Sequence, residues 1–287
     1  MFKKVVDAVY NPIDAKLKRL AKEGGQSVAV IWNRGLGDIP LGLCAFVHRA
    51  REVVPDVRIT FVTRPDLADA FRLIGDVEVV TSTKLQRGQP IPELPLEPYD
   101  LVFESLDPTR HLKWQRGSFT PKLEWDEGLD ALTDAFPLER DRKYLGVHVN
   151  SETGHIYGYN KNWPEAKWRA LFERSPFPVI LFGHMASGEY PGCIDLRGKT
   201  SLFGMLSIML NRCVAFVGPD SGLVSIAYYL AAPRPLKLVS LWADPKQGIL
   251  RQGVDSPNPL LIHTPCIAKR GKIEKIEVDE VAGALFG

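Results

Sequence analysis

Residues 217–223 read Val-Gly-Pro-Asp-Ser-Gly-Leu, and this run combines residue types that suit an anion-binding turn. An apolar segment ends at the Gly-Pro pair, and an apolar segment of helical character starts at Leu223. The order predicts a strand, a tight turn of Asp220, Ser221 and Gly222, and a helix N-terminus, whose free N–H groups attract phosphate. The simpler alternative is an ordinary turn in which Ser221 or Asp220 only caps the helix, and this stretch alone favours that alternative.

A second candidate follows the first apolar run of the chain. Residues 27–32 read Ser-Val-Ala-Val-Ile-Trp and predict a buried strand, which ends in Asn-Arg-Gly-Leu-Gly-Asp at positions 33–38. A dinucleotide-binding turn would need a third glycine where Pro40 stands, and an acid after the second strand, where the chain has Thr-Arg. The dinucleotide interpretation therefore fails. Asp38 is the residue of interest, and the sequence leaves two alternatives for it, catalysis or capping of the following helix.

The composition is that of a globular protein with room for two domains, with 287 residues, 45% of them hydrophobic and 24% charged. A formal net charge of +2 does not favour nucleic acid as a partner. No apolar run approaches the roughly 18 residues of a membrane span, and Asp7 and Pro12 interrupt any signal-peptide core. The cysteines and histidines show no metal or redox spacing, so we expect reduced thiols in a cytosolic setting and no metal site.

Residues 1–25 have apolar side chains at helical spacing, and lysine and arginine outnumber the acids there. The pattern predicts a basic amphipathic helix with a break at Asn11 and Pro12. Such a helix can lie on an anionic membrane surface. It can also pack on its own domain with a solvated basic face, which we favour slightly.

Strands alternate with helices in two series, which predicts parallel sheets covered by helices on both faces. The polar run at residues 137–143 separates the series, so we expect an N-terminal domain over residues 1–143 and a C-terminal domain over residues 144–287. The predicted fold class is α/β, with two Rossmann-like doubly wound domains facing across a cleft. Ligands bind such sheets beyond the carboxyl ends of strands, where Asp38 and Asp220 stand.

Two segments show no clear period. Residues 105–128 are rich in charged and aromatic side chains and are predicted as a loop or short irregular helices. Residues 150–162 are polar, contain glycine and are predicted as a loop.

Four short stretches carry a resemblance to a known family. Residues 28–38 resemble its first strand with a Gly-Asp turn, and residues 161–164, Lys-Asn-Trp-Pro, resemble the Lys-x-Trp-Pro that opens the first helix of its second domain. Residues 196–202, Leu-Arg-Gly-Lys-Thr-Ser-Leu, are similar to its Leu-x-Gly-Lys-Thr-Ser-Leu, and residues 218–223 to its Asp-Thr-Gly-Leu, with serine for threonine. By their order and spacing the chain is identified as a divergent, short member of the heptosyltransferases, glycosyltransferase family nine.

The resemblance implies the GT-B arrangement of two facing domains and an inverting transferase that needs no metal and no cofactor. It implies a nucleotide-diphosphate sugar as donor, ADP-heptose in this family, and a lipopolysaccharide core or another surface glycan as acceptor. The enzyme would work in the cytoplasm, and the basic N-terminal helix would allow contact with the inner face of the membrane.

Glycosyl transfer needs a base near the acceptor hydroxyl and positive groups on the leaving diphosphate. By resemblance Asp38 is the base and Lys161 the partner of the diphosphate. Asp220 repels phosphate, so we expect it to bind sugar or ribose hydroxyls or to cap its turn. The other implied site residues are the donor-binding Asp220, Ser221, Gly222, Lys199 and Glu189, and the acceptor-side turn of Arg34, Gly35 and Gly37.

The chain departs from the family pattern at three places. Ser225 stands where the family commonly has histidine, and Trp242 begins a turn where a Gly-x-Thr is usual. The N-terminal domain is also short between the strands at Asp100 and Gly146. These departures motivate an alternative function, a non-catalytic sugar-nucleotide-binding protein that retains the fold.

Overall fold

The computed structural model describes residues 11–287 except residues 97 and 105. The chain divides into two compact units, Met1–Lys122 and Leu123–Gly287. Within the described residues no helix is long and apolar enough to cross a bilayer.

The first unit is a parallel sheet with helices around it. Its strands are β1 (Ser27–Trp32), β2 (Arg58–Thr63), β3 (Glu78–Thr81) and β4 (Leu101–Phe103). Its described helices are α1 (Pro12–Glu23), α2 (Cys44–Val53), α3 (Ala68–Arg72) and α4 (Pro108–His111), with a π-helix at Ile39–Leu43 and 3-10 turns at Pro65–Leu67 and Lys113–Gln115. The strand order is β3-β2-β1-β4. The fully buried β1 is central, and the chain reverses direction across the sheet between β1 and β4.

Helix α1 packs on its own unit. The side chain of Asn11 caps it by accepting from the Ile13 N–H at 3.0 Å, and one face buries Ile13, Leu17 and Leu20. The guanidinium of Arg49 holds the Asp14 carboxylate with two hydrogen bonds of 2.9 and 2.7 Å. Packing on the domain is therefore confirmed for Pro12–Glu23, whereas the part of the prediction that concerns residues 1–10 lies outside the described residues.

The second unit contains a six-stranded parallel sheet with the order β12-β11-β9-β6-β7-β8. These strands are β6 (Tyr144–His148), β7 (Val179–Phe182), β8 (Ile194–Asp195), β9 (Cys213–Pro219), β11 (Leu236–Trp242) and β12 (Leu261–Ile267), and a separate pair joins β5 (Leu123–Glu124) to β10 (Leu230–Ala231). The described helices are α5 (Glu152–Tyr157), α6 (Glu165–Glu173), α7 (Leu202–Arg212), α8 (Gly222–Tyr229), α9 (Gly248–Gln252) and α10 (Val278–Phe286), with 3-10 turns at Glu127–Ala135, Lys269–Gly271 and Ile273–Lys275. The chain runs outward from β6 in one direction and returns to β9 on its other side. The topological switch point of this sheet therefore lies between β6 and β9.

The predicted fold class is confirmed as α/β with parallel sheets in two Rossmann-like units. The contacts place residues 123–143 in the second unit, whereas the polar run at residues 137–143 predicted a boundary after Lys143. Polar contacts join the segment Glu127–Ala135 to α7 of this unit: the Thr133 and Ser207 hydroxyls lie 2.6 Å apart, and Ser207 also donates to the Asp130 carbonyl at 2.8 Å. The prediction of a loop over residues 150–162 is wrong in part, because α5 forms there.

Candidate functional site

The turn after β9 lies at the switch point of the second sheet. The Asp220 N–H donates to the Leu241 carbonyl at 3.0 Å, which extends the pairing of β9 with β11 by one residue. The Ser221 hydroxyl accepts from the Val224 N–H at 3.3 Å and so caps α8, which begins at Gly222. The N-terminus of α8, with its positive dipole end, therefore points out of the sheet edge where ligands bind in this class of fold.

Lys161 and Asp220 meet at this turn. The Lys161 ammonium lies 2.7 Å from Asp220 Oδ2, and the two side chains are only 20% and 10% exposed. The expectation that Asp220 caps its own turn is wrong, because Ser221 is the capping residue and the carboxylate pairs with lysine. The pair places a partly buried cation, already compensated by an anion, beside a helix N-terminus.

Gly248 closes the site from the side of β11. Its φ is +49°, and a Cβ on it would lie 2.6 Å from ring carbons of Trp242 and 2.9 Å from Asp220 Oδ1. Only glycine fits the position in both backbone conformation and space. The local sequence does not reveal this residue, since the contact joins the start of α9 to the turn after β9.

His148 ends β6 and was also missed. Its Nδ1 lies 3.1 Å from the Phe182 carbonyl oxygen, which can only accept, so Nδ1 carries the proton and Nε2 keeps its lone pair. Burial lowers the pKa of His148 to about 4, which keeps the ring neutral near pH 7. Gly183 and Gly218 make room for it, because a Cβ on either would lie 3.1 Å from atoms of His148.

Ser225 is buried and its hydroxyl donates to the Ser221 carbonyl at 3.1 Å. The Ser225 side chain, at the position where the family commonly has histidine, thus makes a hydrogen bond to the start of its own helix.

The other donor-side candidates lie apart from the Lys161–Asp220 pair. The Lys199 ammonium donates to the Asp195 carbonyl at 2.8 Å, and Glu189 is exposed. No hydrogen bond or ion pair between described residues joins either of them to the pair. Arg197, next to this turn, is buried and binds both oxygens of the Asp195 carboxylate, at 2.9 and 2.7 Å.

Asp38 follows β1 in the first unit and directly precedes the π-helix Ile39–Leu43. It occupies the N-cap position, yet its side chain accepts no capping hydrogen bond. The half-buried carboxylate stands beyond the carboxyl end of the central strand, beside the switch point between β1 and β4. Helix capping is therefore not the role of this side chain.

The turn before Asp38 is built on Trp32. The indole Nε1 of Trp32 donates to the Gly35 carbonyl at 3.3 Å, and the exposed Arg34 guanidinium lies 5.7 Å from the ring. The Gly37 carbonyl accepts from the Leu41 N–H at 3.2 Å and so leads into the helical segment. This packing holds the backbone that presents Asp38.

In the described ranges no group of three or more histidine, cysteine, aspartate or glutamate side chains is placed to hold a metal ion.

The sequence matches the family model of glycosyltransferase family 9 (heptosyltransferase) over residues 112–275, more than half of the chain. The protein belongs to this family, and its class is that of a glycosyltransferase. The comparison with curated proteins found no match.

Solved structures show the same fold. A family 9 glycosyl transferase from Veillonella parvula DSM 2008 has a TM-score of 0.57 at 14% identity, covering 90% of this chain and 96% of that one. The iron-containing dodecameric glycosyltransferase TibC from enterotoxigenic E. coli H10407 has a TM-score of 0.54 at 14% identity, covering 91% and 75%. The E. coli heptosyltransferase WaaC with ADP has a TM-score of 0.51 at 15% identity, covering 90% and 98%.

Proposed function

We propose that the protein transfers a sugar, with inversion and without a metal, from a nucleotide-diphosphate donor to a hydroxyl of a lipopolysaccharide core or another surface glycan. The observation that carries the proposal is the Lys161–Asp220 pair beside the N-terminus of α8, at the switch point of the second sheet. ADP-heptose is the proposed donor, and the structural similarity to WaaC, solved with ADP, supports it.

Lys161 is the proposed partner of the leaving diphosphate. Its ammonium is partly buried, so its charge is screened less than that of a surface lysine. A phosphate that binds there competes with Asp220 for the same cation, because both are anions. The carboxylate then becomes an acceptor for a hydroxyl of the donor, which is the role proposed for Asp220.

Ser221 and Gly222 complete the proposed donor turn. The first N–H groups of an α-helix lack partners within the helix and point along the positive end of its dipole, which suits phosphate oxygens. Lys199 and Glu189 are proposed as outer donor contacts with smaller shares of the binding energy, because the Lys199 ammonium already donates to its own turn.

Asp38 is the proposed base that takes the proton of the acceptor hydroxyl. In support, the carboxylate stands beyond the carboxyl end of β1 and does not cap the helical segment that follows. Arg34, Gly35 and Gly37 form the proposed acceptor-side turn. We also propose that the enzyme works in the cytoplasm, at the inner face of the membrane where a lipid-linked acceptor is available.

A panel of nucleotide sugars tests the proposal. Each compound is added to the full chain in a thermal-shift assay, and the compounds that bind are then incubated with glycan acceptors, with and without EDTA. We expect ADP-heptose to raise the melting temperature, because a ligand that binds only the folded state stabilises it, and to be consumed whether or not EDTA is present. Binding without turnover would identify a sugar-nucleotide-binding protein and contradict the transferase mechanism.

A further inference from the structure

Two tyrosines are exposed side by side on the segment that carries Lys161. Tyr157 ends α5 and Tyr159 follows two residues later, and the two residues are 54% and 57% exposed. Their ring centroids lie 5.8 Å apart, with the ring planes tilted by 36°. Single exposed apolar side chains are common, but rings exposed together form a surface that suits a contact. We call Tyr157 and Tyr159 the tyrosine pair.

The backbone that presents the tyrosine pair is anchored. Gly158 ends α5 in the left-handed conformation with a φ of 66°. The side chain of Asn160 donates to the Gly271 carbonyl at 2.8 Å, and the Ser151 N–H donates to the Asn162 side chain at 2.7 Å. The two rings therefore stand on a fixed support, which lowers the entropy lost when a ligand packs on them.

The tyrosine pair is also placed next to the proposed phosphate partner. The Lys161 ammonium lies 6.0 Å from the centre of the Tyr159 ring. A phosphate oxygen bound to that ammonium at about 2.8 Å brings the group attached to the phosphate beside the ring. In a nucleotide sugar that group is a sugar ring at either end of the diphosphate, whereas the base lies one sugar further away.

The geometry of the rings favours a sugar over a base. The face of an aromatic ring carries partial negative charge, and the C–H bonds of a sugar carry partial positive charge, so the two attract. Rings tilted by 36° cannot both lie flat on one planar base, but they can follow a puckered ring.

We propose that the tyrosine pair is a stacking platform for the sugar ring that is bonded directly to the diphosphate. The inference rests on the proposed function, which places the diphosphate at Lys161. Two sugars have this chemistry, the ribose of the nucleoside and the transferred sugar.

Alanine variants of the tyrosine pair test the platform by calorimetric titration with pyrophosphate, ADP, UDP and ADP-heptose. We expect Tyr159→Ala and Tyr157→Ala to weaken the binding of sugar-containing ligands about three- to tenfold. Both variants should leave pyrophosphate binding and the melting temperature unchanged. Tyr159→Phe keeps the ring and is expected to bind like the wild type. A loss confined to ADP-heptose assigns the platform to the transferred sugar. An equal loss for ADP, UDP and ADP-heptose assigns it to the ribose.

Three results would overturn the platform. Wild-type affinity of both alanine variants for ADP, UDP and ADP-heptose would rule out the stacking platform without contradicting the proposed function. A loss for ADP without a loss for UDP would point to the base instead of a sugar. Weakened pyrophosphate binding would show that the substitution acts through Lys161. If the wild-type protein bound none of the ligands, the proposed function would fall as well.

Discussion

The Lys161 ammonium and the Asp220 carboxylate form an ion pair of 2.7 Å at the switch point of the second sheet. The lysine comes from the segment after α5 and the aspartate from the turn after β9, so the pair ties the two sides of the switch point together. If a donor diphosphate binds at Lys161, it replaces one anionic partner by another. Binding of the donor and release of the Asp220 carboxylate from Lys161 then occur together.

Lys161→Ala is expected to weaken ADP binding about 10- to 100-fold, because a hydrogen bond to a charged group contributes about 1.5–3 kcal/mol. Lys199→Ala is the matched control, since the Lys199 ammonium donates to the Asp195 carbonyl of its own turn. We expect less than a threefold change for it in the same titration. Equal effects of the two substitutions would contradict the assignment of Lys161.

Asp220→Asn is expected to bind ADP about three- to tenfold more tightly than the wild type, because the ammonium of Lys161 loses its competing anion. The same variant should transfer sugar more slowly, since an amide accepts a hydroxyl proton less strongly than a carboxylate. ADP titration and a transfer assay on one preparation separate the two effects. Weaker ADP binding would mean that Asp220 instead holds Lys161 in position.

Gly248→Ala is expected to lower the melting temperature and to reduce donor affinity. The new methyl group would meet the Trp242 ring at 2.6 Å and Asp220 at 2.9 Å, and overpacking costs about 1–3 kcal/mol beyond the strain of a positive φ. Gly253→Ala is the control at the other end of α9, with a φ of +63° and nothing within 4 Å of its Cβ. It should show the smaller loss of stability and normal donor binding. Indistinguishable melting curves for the two variants would argue against the close contact.

The free energy of unfolding is expected to fall as the pH drops from 6.5 towards 4. Burial lowers the pKa of folded His148 to about 4 from a usual 6.5. In this window the unfolded chain therefore binds a proton that the folded chain does not. The slope is up to about 1.4 kcal/mol per pH unit for one group. Burial also lowers the pKa of His263 to about 4, and that histidine adds to the same slope.

Denaturant titrations of His148→Asn test this pH dependence. Asparagine keeps a donor for the Phe182 carbonyl but takes up no proton. The free energy of unfolding should therefore depend less steeply on pH, while the contribution of His263 remains. His184→Asn, which changes an exposed histidine two residues after Phe182, is the control and should leave the contribution of His148 to the slope unchanged. An unchanged slope in His148→Asn would show that His148 is not held neutral.

Local pattern was enough to predict the buried strands and several helices. The bounds of β1 agree with the prediction, because it is an apolar segment that ends at the polar Asn33. Helix α5 was missed because it is short and polar. Strand β12 was missed because it is a half-exposed edge strand that contains Pro265 and depends on pairing with β11.

The residue types of the site were visible in the sequence, but their partners were not. Asp220 was expected at hydroxyl groups or at its own helix, and only the fold shows that Lys161 reaches it. His148 reads as a polar residue at a strand end. Its burial depends on Gly183 and Gly218, which belong to neighbouring strand ends and leave it space. Such contacts between distant segments are absent from any local pattern.

The most direct test of the account is a parallel measurement of sugar transfer and donor affinity in Asp38→Asn. The amide cannot take the acceptor proton, so we expect kcat to fall at least about 100-fold with the Kd for ADP-heptose unchanged. Asp66→Asn, in the turn after β2 and paired with Arg64 in the folded protein, should keep wild-type transfer. Full transfer by Asp38→Asn would contradict the proposed base and with it the mechanism.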